Sequence, residues 1–298
     1  MSDVFKNPPP AFSNDYVFDI IKKHFDISPS LTPLVSDRDQ NFKITEGEKS
    51  HIFKIANSAE SRSVLEMQNS ALSYISKKDD SIEIPQPVKT IDGHDILSIE
   101  SKNTKYHARL LTYVDGVFLK DVKSTNETTF SVGKFLGYLD KGLVGFDHRA
   151  AKREFIWDVS QVSLLESNLT KDDFDLITFF INSFKHDISS LMNDFPKTII
   201  HNDGNDHNIL VDSSNRVKGI IDFGDMIHTF RVIEPSVAMA YIAIENNNFE
   251  LIASLIKGYH SIDLSSNQSI IQSIQFICIP GSNLNQKPYF LKNSYLKA

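Results

Sequence analysis

The chain has 298 residues, a formal net charge of −7 and 41% hydrophobic residues, enough for one large domain or two lobes around a buried core. The acidic balance argues against broad binding to nucleic acid or to an anionic membrane, and leaves any anionic ligand to a few placed groups. A single cysteine, Cys278, excludes an internal disulfide framework, no apolar run reaches the ~18 residues that span a bilayer, and "MSDVFKNPPPAF" lacks the basic and apolar regions of a secretion signal, so the expected compartment is reducing and cytoplasmic.

After a polar, proline-bearing lead-in, "DYVFDIIKKHF" sets Val17, Ile20, Ile21 and Phe25 at helical spacing. From about Leu31 the period shortens, and "LTPLVS", "QNFKIT" and "SHIFKIA" predict an antiparallel meander with "EGEK" as a hairpin turn. Residues 58–78 predict a helix with Val64, Leu65, Gln68, Leu72 and Ile75 on one face and Ser58 or Ser61 as its cap. "IPQPVKTIDGHDILSIE" and "KYHARLLTYV" predict three more strands, with "DG" turns after Ile91 and Val114. Beyond that point "TTFSVGKFLGYLDKGLVGF" and "DDFDLITFFINSFKHDISSLM" predict long helices, with "FIWDVSQVSLLE" between them. In this half only "TIIHNDG" and "HNILVDSSNRVKGIIDF" read as strands, the latter folded over a "DSSN" turn. The pattern is α+β: a small lobe of sheet with one packed helix, then a largely helical lobe.

Residues 199–211, "IIHNDGNDHNILV", place His201, Asp203 and Asn208 in the spacing H-x-D-x-x-x-x-N between two apolar runs. The spacing alone is a weak signal. Its weight comes from "IIDFGD", where Asp222 stands fourteen residues after Asn208, across the "DSSN" turn. Two polar loops flanking one hairpin suit phosphoryl transfer from a nucleotide, which needs a divalent cation held against the phosphates and an acceptor hydroxyl oriented in line. Asn208 and Asp222 are hard oxygen ligands for Mg²⁺, and Asp203 is left to orient the hydroxyl and take its proton. Gly204 lets the backbone turn closely beside the substrate, and His201 braces the loop by hydrogen bonding.

"HNDGNDHNILV" with "GIIDFGD" resembles the aminoglycoside phosphotransferase and choline kinase superfamily, over most of the chain. The resemblance implies a two-lobed protein-kinase-like fold: a nucleotide lobe of residues 1–108, a hinge of 109–115 and a catalytic and acceptor lobe of 116–298. It places Lys54 of "HIFKI" on the phosphates, pairs it with Glu66 of the following helix, and gives the backbone around Leu111 to Tyr113 to the purine. There is no G-x-G-x-x-G in the first hairpin, which leaves phosphate contacts to Ser36, Gln40, Asn41 and backbone groups. Within the superfamily, "RLLTYVDG", "GFDHRAAKREFIWD" and "GIIDFGDMIHTFRVIEPSVAMAYI" are similar to the hydroxylysine kinases and to the kinase-like domain fused to class III aminotransferases. That likeness implies Mg²⁺-dependent transfer from GTP, or ATP, to the hydroxyl of free 5-hydroxy-L-lysine, in the breakdown of lysine derivatives.

A zwitterionic amino acid needs an anion for its ammonium groups and a cation for its carboxylate, and Asp225, Arg231 and Glu234 are candidates. Arg231 also reads as a structural partner of Glu234 at the start of the "EPSVAMAYIAI" helix. Trp157 and Asp158 form either an aromatic and acidic wall against a cationic side chain or a helix face with a core tryptophan. Two rival expectations stand beside hydroxylysine. One is a kinase for choline, ethanolamine, homoserine or an aminoglycoside. The other is a nucleotide-binding pseudoenzyme, suggested by a closing segment, "SIIQSIQFICIPGSNLNQKPYFLKNSYLKA", that looks shortened for the superfamily.

Overall fold

The structure is a computed structural model that describes residues 7–79, 82–166, 174–188, 195–246 and 248–262. The chain divides between Asp115 and Gly116 into two units, each with more contacts inside it than across. Residues 109–112, the start of the expected hinge, continue a strand of the first unit instead.

In the first unit α1 (Asn14–Phe25) starts where the Ser13 hydroxyl accepts the Tyr16 N–H, and stops at Asp26, whose left-handed backbone turns the chain away. The strands β1 (Ser30–Leu34), β2 (Gln40–Glu46), β3 (Lys49–Ile55), β4 (Pro87–Val88), β5 (Leu97–Ser101) and β6 (Thr104–Thr112) form one antiparallel sheet in the order β1-β2-β3-β6-β4, with β5 also on β6. Helix α2 (Arg62–Lys78) is capped by Ser61, not Ser58. Alternation along the strands sorts the side chains by face. Phe42, Ile44, Phe53, Ile55, Ala108 and Leu110 bury against Val17, Ile20 and Ile21 of α1. The intervening Asn41, Lys54 and Arg109 stand opposite one another across three strands and point to the other face. There Arg109 donates to Asn69 at 2.9 Å and to Gln68, both on α2.

The second unit contains β7 (Val117–Phe118), α3 (Asn126–Leu143), the short α4 (Ser163–Glu166), α5 (Phe174–Ser183) running into a π turn at Phe184–Ile188, β8 (Lys197–Ile200), β9 (Ile209–Val211), β10 (Val217–Ile220), β11 (Ile227–Phe230), α6 (Ile233–Asn246) and α7 (Phe249–His260). Strands pair as β10-β9-β7 and β11-β8. Neither β7 nor β11 was expected. Helices α3 and α7 cross with their backbones almost touching. A Cβ on Gly133 would lie 1.9 Å from the Leu255 carbonyl oxygen, and one on Gly258 would lie 2.0 Å from that of Phe130. Glycine is the residue that fits. Residues 263–298, with the closing segment noted above, lie outside the described residues, as do 189–194 at the end of the second predicted helix. Among the described residues no helix is long and apolar enough to cross a membrane.

Candidate active site

Strand β8 ends at buried Ile200, which pairs with Ile227 of β11, and the chain then runs through the loop His201–Asn208 into β9 of the neighbouring three-stranded sheet. That loop is tied to the segment after β10: Ile221 donates its N–H to the Asn208 carbonyl at 2.9 Å, and His201 Nε2 lies 3.1 Å from the Ile221 carbonyl oxygen. His201 Nδ1 accepts the Asp203 N–H at 3.2 Å, so the proton sits on Nε2 and the ring is the neutral tautomer. Full burial lowers its pKa to about 4, against the opposing pull of the Asp222 and Asp225 carboxylates. A neutral ring with both nitrogens engaged is suited to bracing the loop and unsuited to acting as its base.

Asp203 is half-buried at the centre of the loop. Asn205 Nδ2 donates to its Oδ1 at 2.6 Å and Asn208 Nδ2 to its Oδ2 at 2.7 Å, with a further bond from Asn208 to the Asp203 carbonyl at 3.0 Å. Both Asn208 bonds use its amide N–H groups, which leaves Oδ1 as a donor atom for a cation. Asp222 is exposed, has a left-handed backbone at φ 60°, and accepts the Gly224 N–H at 3.3 Å. Among the described residues no group of three His, Cys, Asp or Glu side chains could hold a metal ion. One amide oxygen and one carboxylate are what Mg²⁺ takes when phosphate oxygens and water complete its shell, so the residues fit that ion.

Asn202, between His201 and Asp203, is buried with φ 67°; its N–H donates to Glu234 Oε2 at 2.8 Å and its side chain to the Trp157 carbonyl at 3.3 Å. Gly204 lies so close to the same carboxylate that a Cβ would come 2.9 Å from Glu234 Oε1. Also in this unit, Gly204, Ser124, Val132, Asp206, Tyr241 and Glu245 line a shallow depression beside the loop. Burial, followed by a shared hydrogen bond with Asp206, lifts the Glu245 carboxyl to about 7.

Several of the expected substrate contacts are structural instead. Asp158 is 1% exposed and its carboxylate is saturated by Ser160 N–H and Oγ, Gln161 Nε2 and Thr229 Oγ1, all at 2.9 Å. Glu234 is fully buried on the loop backbone, and Arg231 and Asp225 are buried too, so none of the three lies open to a substrate. Trp157 is half-buried, with its carbonyl accepting from Asn202.

In the first unit, Lys54 and Asn41 are buried side by side on adjacent strands, and Asn41 Oδ1 has no hydrogen-bond partner. Glu66 is engaged by Arg62, one turn earlier on the same helix, at 2.9 Å on a half-exposed face. Gln40 is taken up by the lead-in, accepting the Phe12 N–H at 2.8 Å and donating to its carbonyl at 2.9 Å. The Ser36 hydroxyl accepts the Asp39 N–H at 3.3 Å. Leu111 lies within the β6 ladder, and the N–H groups of Thr112 and Tyr113 are occupied by the Gln86 and Ser50 carbonyls, which withdraws those donors from a purine. The sequence reading missed Asn205, Arg109 and the Asp206–Glu245 pair. Only Asn205 had a local signal, an Asx side chain two residues beyond the candidate base.

The phosphotransferase enzyme family matches residues 30–266. The chain belongs to that family. It is a phosphotransferase with an alcohol group as acceptor, built on the two-lobed, protein-kinase-like α+β fold. Among similar proteins are the hydroxylysine kinase of Xenopus laevis, 32% identical over 81% of this chain and 72% of the relative, and that of Mus musculus, 27% identical over 85% and 75%. Among solved structures, an amicoumacin kinase in complex with AMP-PNP, Ca²⁺ and Ami superposes with a TM-score of 0.70 at 13% identity, covering 92% of this phosphotransferase and 89% of that chain. A microcompartment-associated aminopropanol kinase gives 0.68 at 17% identity, covering 88% and 87%. At those identities the structures speak to fold alone.

Proposed function

We propose that this phosphotransferase moves the γ-phosphoryl group of GTP or ATP to the side-chain hydroxyl of 5-hydroxy-L-lysine, in the cytoplasm, as a step in the breakdown of lysine derivatives. The observation that carries the chemistry is the Asp203 carboxylate, held at both oxygens by Asn205 and Asn208 in a loop tied to the segment that bears Asp222. The acceptor assignment is supported by the hydroxylysine kinases it resembles. It is supported further by the Asp206 and Glu245 carboxyls, which line one depression with Gly204 of the loop and suit an ammonium group.

In this reading Lys54 contacts the α and β phosphates, and Asn208 Oδ1 and the Asp222 carboxylate hold Mg²⁺. When bound, the ion neutralises charge developing on the phosphate oxygens. Asp203 orients the acceptor hydroxyl and accepts its proton as the oxygen–phosphorus bond forms and the bond from the γ-phosphorus to the bridging oxygen breaks, releasing the nucleoside diphosphate. Neutral His201 keeps Asp203 aimed and moves no proton.

The test is phosphoryl transfer with Mg²⁺, GTP and ATP supplied separately, 5-hydroxy-L-lysine set beside choline, ethanolamine, homoserine and an aminoglycoside, and Asp203→Asn as the blank. The expected result is transfer to hydroxylysine that falls by about 10² to 10⁴ in turnover in the variant, with nucleotide affinity kept. Near-normal turnover in the variant would remove Asp203 from the role of base. Turnover of another amine in preference to hydroxylysine would reassign the acceptor.

A further inference from the structure

Asp222 opens a single turn of 3-10 helix, Phe223–Asp225, that joins β10 to β11, and its own backbone is left-handed at φ 60°. A non-glycine residue keeps that conformation when its surroundings hold it. Ahead of the turn, the Ile221 N–H is fixed to the Asn208 carbonyl at 2.9 Å. At the other end a one-turn helix leaves carbonyls without a donor of its own, and buried ones must find another. The donor comes from a segment far earlier in the chain. Arg153 Nη2 donates to the Gly224 carbonyl at 2.9 Å and to the carbonyl of buried Met226 at 3.0 Å, so one nitrogen spans the end of the turn. The arm that carries it is braced in turn. Its guanidinium lies 4.4 Å from the ring centroid of buried Phe155. Gln161 Nε2 donates to the Arg153 carbonyl at 3.2 Å while Gln161 Oε1 accepts the Phe155 N–H at 3.2 Å, which closes residues 153–161 on themselves. Asp158 fastens this closed segment to Thr229 of β11 at 2.9 Å. Arg153 therefore reaches the turn from a base fixed to the strand into which the turn runs.

We infer that, with Asn208 and Asp222 holding Mg²⁺ as proposed above, Arg153 is a positioning residue for that ion: by donating to the Gly224 and Met226 carbonyls it fixes the turn from which the Asp222 carboxylate is presented. It acts through the backbone of the turn and is not itself a ligand. Partners of this outer kind orient the ligand atom, and their loss weakens the metal more than it weakens the fold. The property required is a donor at the full reach of an arginine. Lysine keeps the charge but carries its nitrogen one bond nearer the backbone, and methionine keeps an apolar stem over Phe155 with no donor at all.

The experiment compares Arg153→Met, Arg153→Lys and Asp222→Asn with the wild type, using Mn²⁺ as the probe because it takes the same oxygen ligands. Its dissociation constant from the protein with nucleotide bound is read from the free-ion EPR signal, beside the Mg²⁺ dependence of turnover, the acceptor KM, and hydrogen exchange over residues 221–226 without metal. Arg153→Met is expected to weaken Mn²⁺ by on the order of 10 to 10², to raise the Mg²⁺ concentration for half-maximal turnover in parallel, and to leave the acceptor KM nearly unchanged. Exchange over residues 221–226 should quicken in the same variant, which ties the metal defect to the turn. Arg153→Lys should lose at least about threefold in Mn²⁺ affinity, by its shorter reach. Wild-type Mn²⁺ affinity in folded Arg153→Met would overturn the inference, and so would a variant whose acceptor KM and thermal midpoint suffer while metal affinity is kept, since Arg153 would then serve the fold alone. Should Arg153→Met fail to fold, Arg153→Lys decides: unchanged Mn²⁺ affinity overturns the assignment and a loss supports it. Asp222→Asn separates this result from the proposed function. If it binds Mn²⁺ as the wild type does, Asp222 is no ligand and both readings fall; if it binds weakly while Arg153→Met binds normally, only the role of Arg153 falls.

Discussion

Asn202 and Asp222 are both non-glycine residues with left-handed backbones on the two loops of the site, and they are secured in different ways. Asn202 is buried, with its backbone N–H on Glu234 and its side chain on the Trp157 carbonyl. Asp222 is exposed and caps a one-turn 3-10 helix through a bond of 3.3 Å to Gly224. At Asn202 the side chain and its surroundings serve the backbone, which fixes where the neighbouring Asp203 points. At Asp222 the backbone serves the side chain, which it presents outward. One loop is organised by the protein, and the other, in the proposed reading, carries a carboxylate that would hold Mg²⁺.

The comparison breaks most visibly at Asp222. Asp222→Asn keeps a residue tolerant of the left-handed region and keeps the cap, but removes the anionic ligand atom. Turnover should fall by on the order of 10² or more while the thermal midpoint stays within a few degrees, read from Mg²⁺-dependent kinetics beside a melting curve. A large loss of stability with activity preserved would reverse the two roles.

The pH dependence of stability tests the buried side of the comparison. Burial raises the Glu234 carboxyl to about 7, with the backbone N–H groups of Asn202 and His201 opposing the shift, and Arg231, Asp140 and Tyr259 are the ionisable groups around it. Its folded pKa lies above its ordinary value of 4.5, so its contribution is fully present below about 4.5 and is lost as pH rises through about 7. His201 runs the other way: its contribution is present above 6.5 and lost as pH falls through about 4. Denaturant titrations should show Glu234→Gln gaining on the wild type between pH 4.5 and 7, by on the order of 3 kcal/mol at the upper end. A difference independent of pH over that window would mean that the carboxyl is ionised throughout.

The smallest effect separates backbone from side chain at Asn202. Asn202→Ala forces a Cβ-bearing residue with no local hydrogen bond into the left-handed region and should cost about 1 to 2 kcal/mol. Asn202→Gly removes that strain, loses only the bond to the Trp157 carbonyl, and should cost less than about 1 kcal/mol. Equal losses in the two variants would place the requirement in the side chain.

Much of the site was legible because its spacing is local. His201, Asp203 and Asn208 lie within one loop, and the hairpin that brings Asp222 after it is short, so sequence order nearly determines their proximity. Helix starts were legible for the same reason, although the choice between Ser58 and Ser61 depended on which hydroxyl reaches an N–H three residues on. The misreadings share a cause. Asp158, Arg231 and Glu234 are charged residues close to the motif, and charge beside a motif suggests contact with a ligand. In the fold Asp158 and Glu234 accept from N–H and hydroxyl groups at or beside an element's start, and all three residues are buried. Glu66 was assigned by its place on the helix, where Arg62 at i−4 shares its face and engages it. The Asn202–Glu234 bond and the Asp206–Glu245 pair join residues distant in sequence, and no periodicity announces such a meeting.

The contact between α3 and α7 sets an order of assembly during synthesis. Tyr259 donates a hydrogen bond to buried Asp140 across 119 residues of chain, beside the crossing at Gly133 and Gly258. At roughly 5–20 residues per second, α7 leaves the ribosome on the order of ten seconds after α3. Through that interval the Asp140 carboxyl lacks its Tyr259 partner and the glycine-bearing side of α3 lacks α7, and between the synthesis of Asn208 and that of Glu234 the loop exists without the glutamate that holds it. A nascent chain therefore carries the complete H-x-D-x-x-x-x-N motif before it carries the side chain that holds the motif's backbone, and the last helix of the described structure packs onto α3 only after both have been translated.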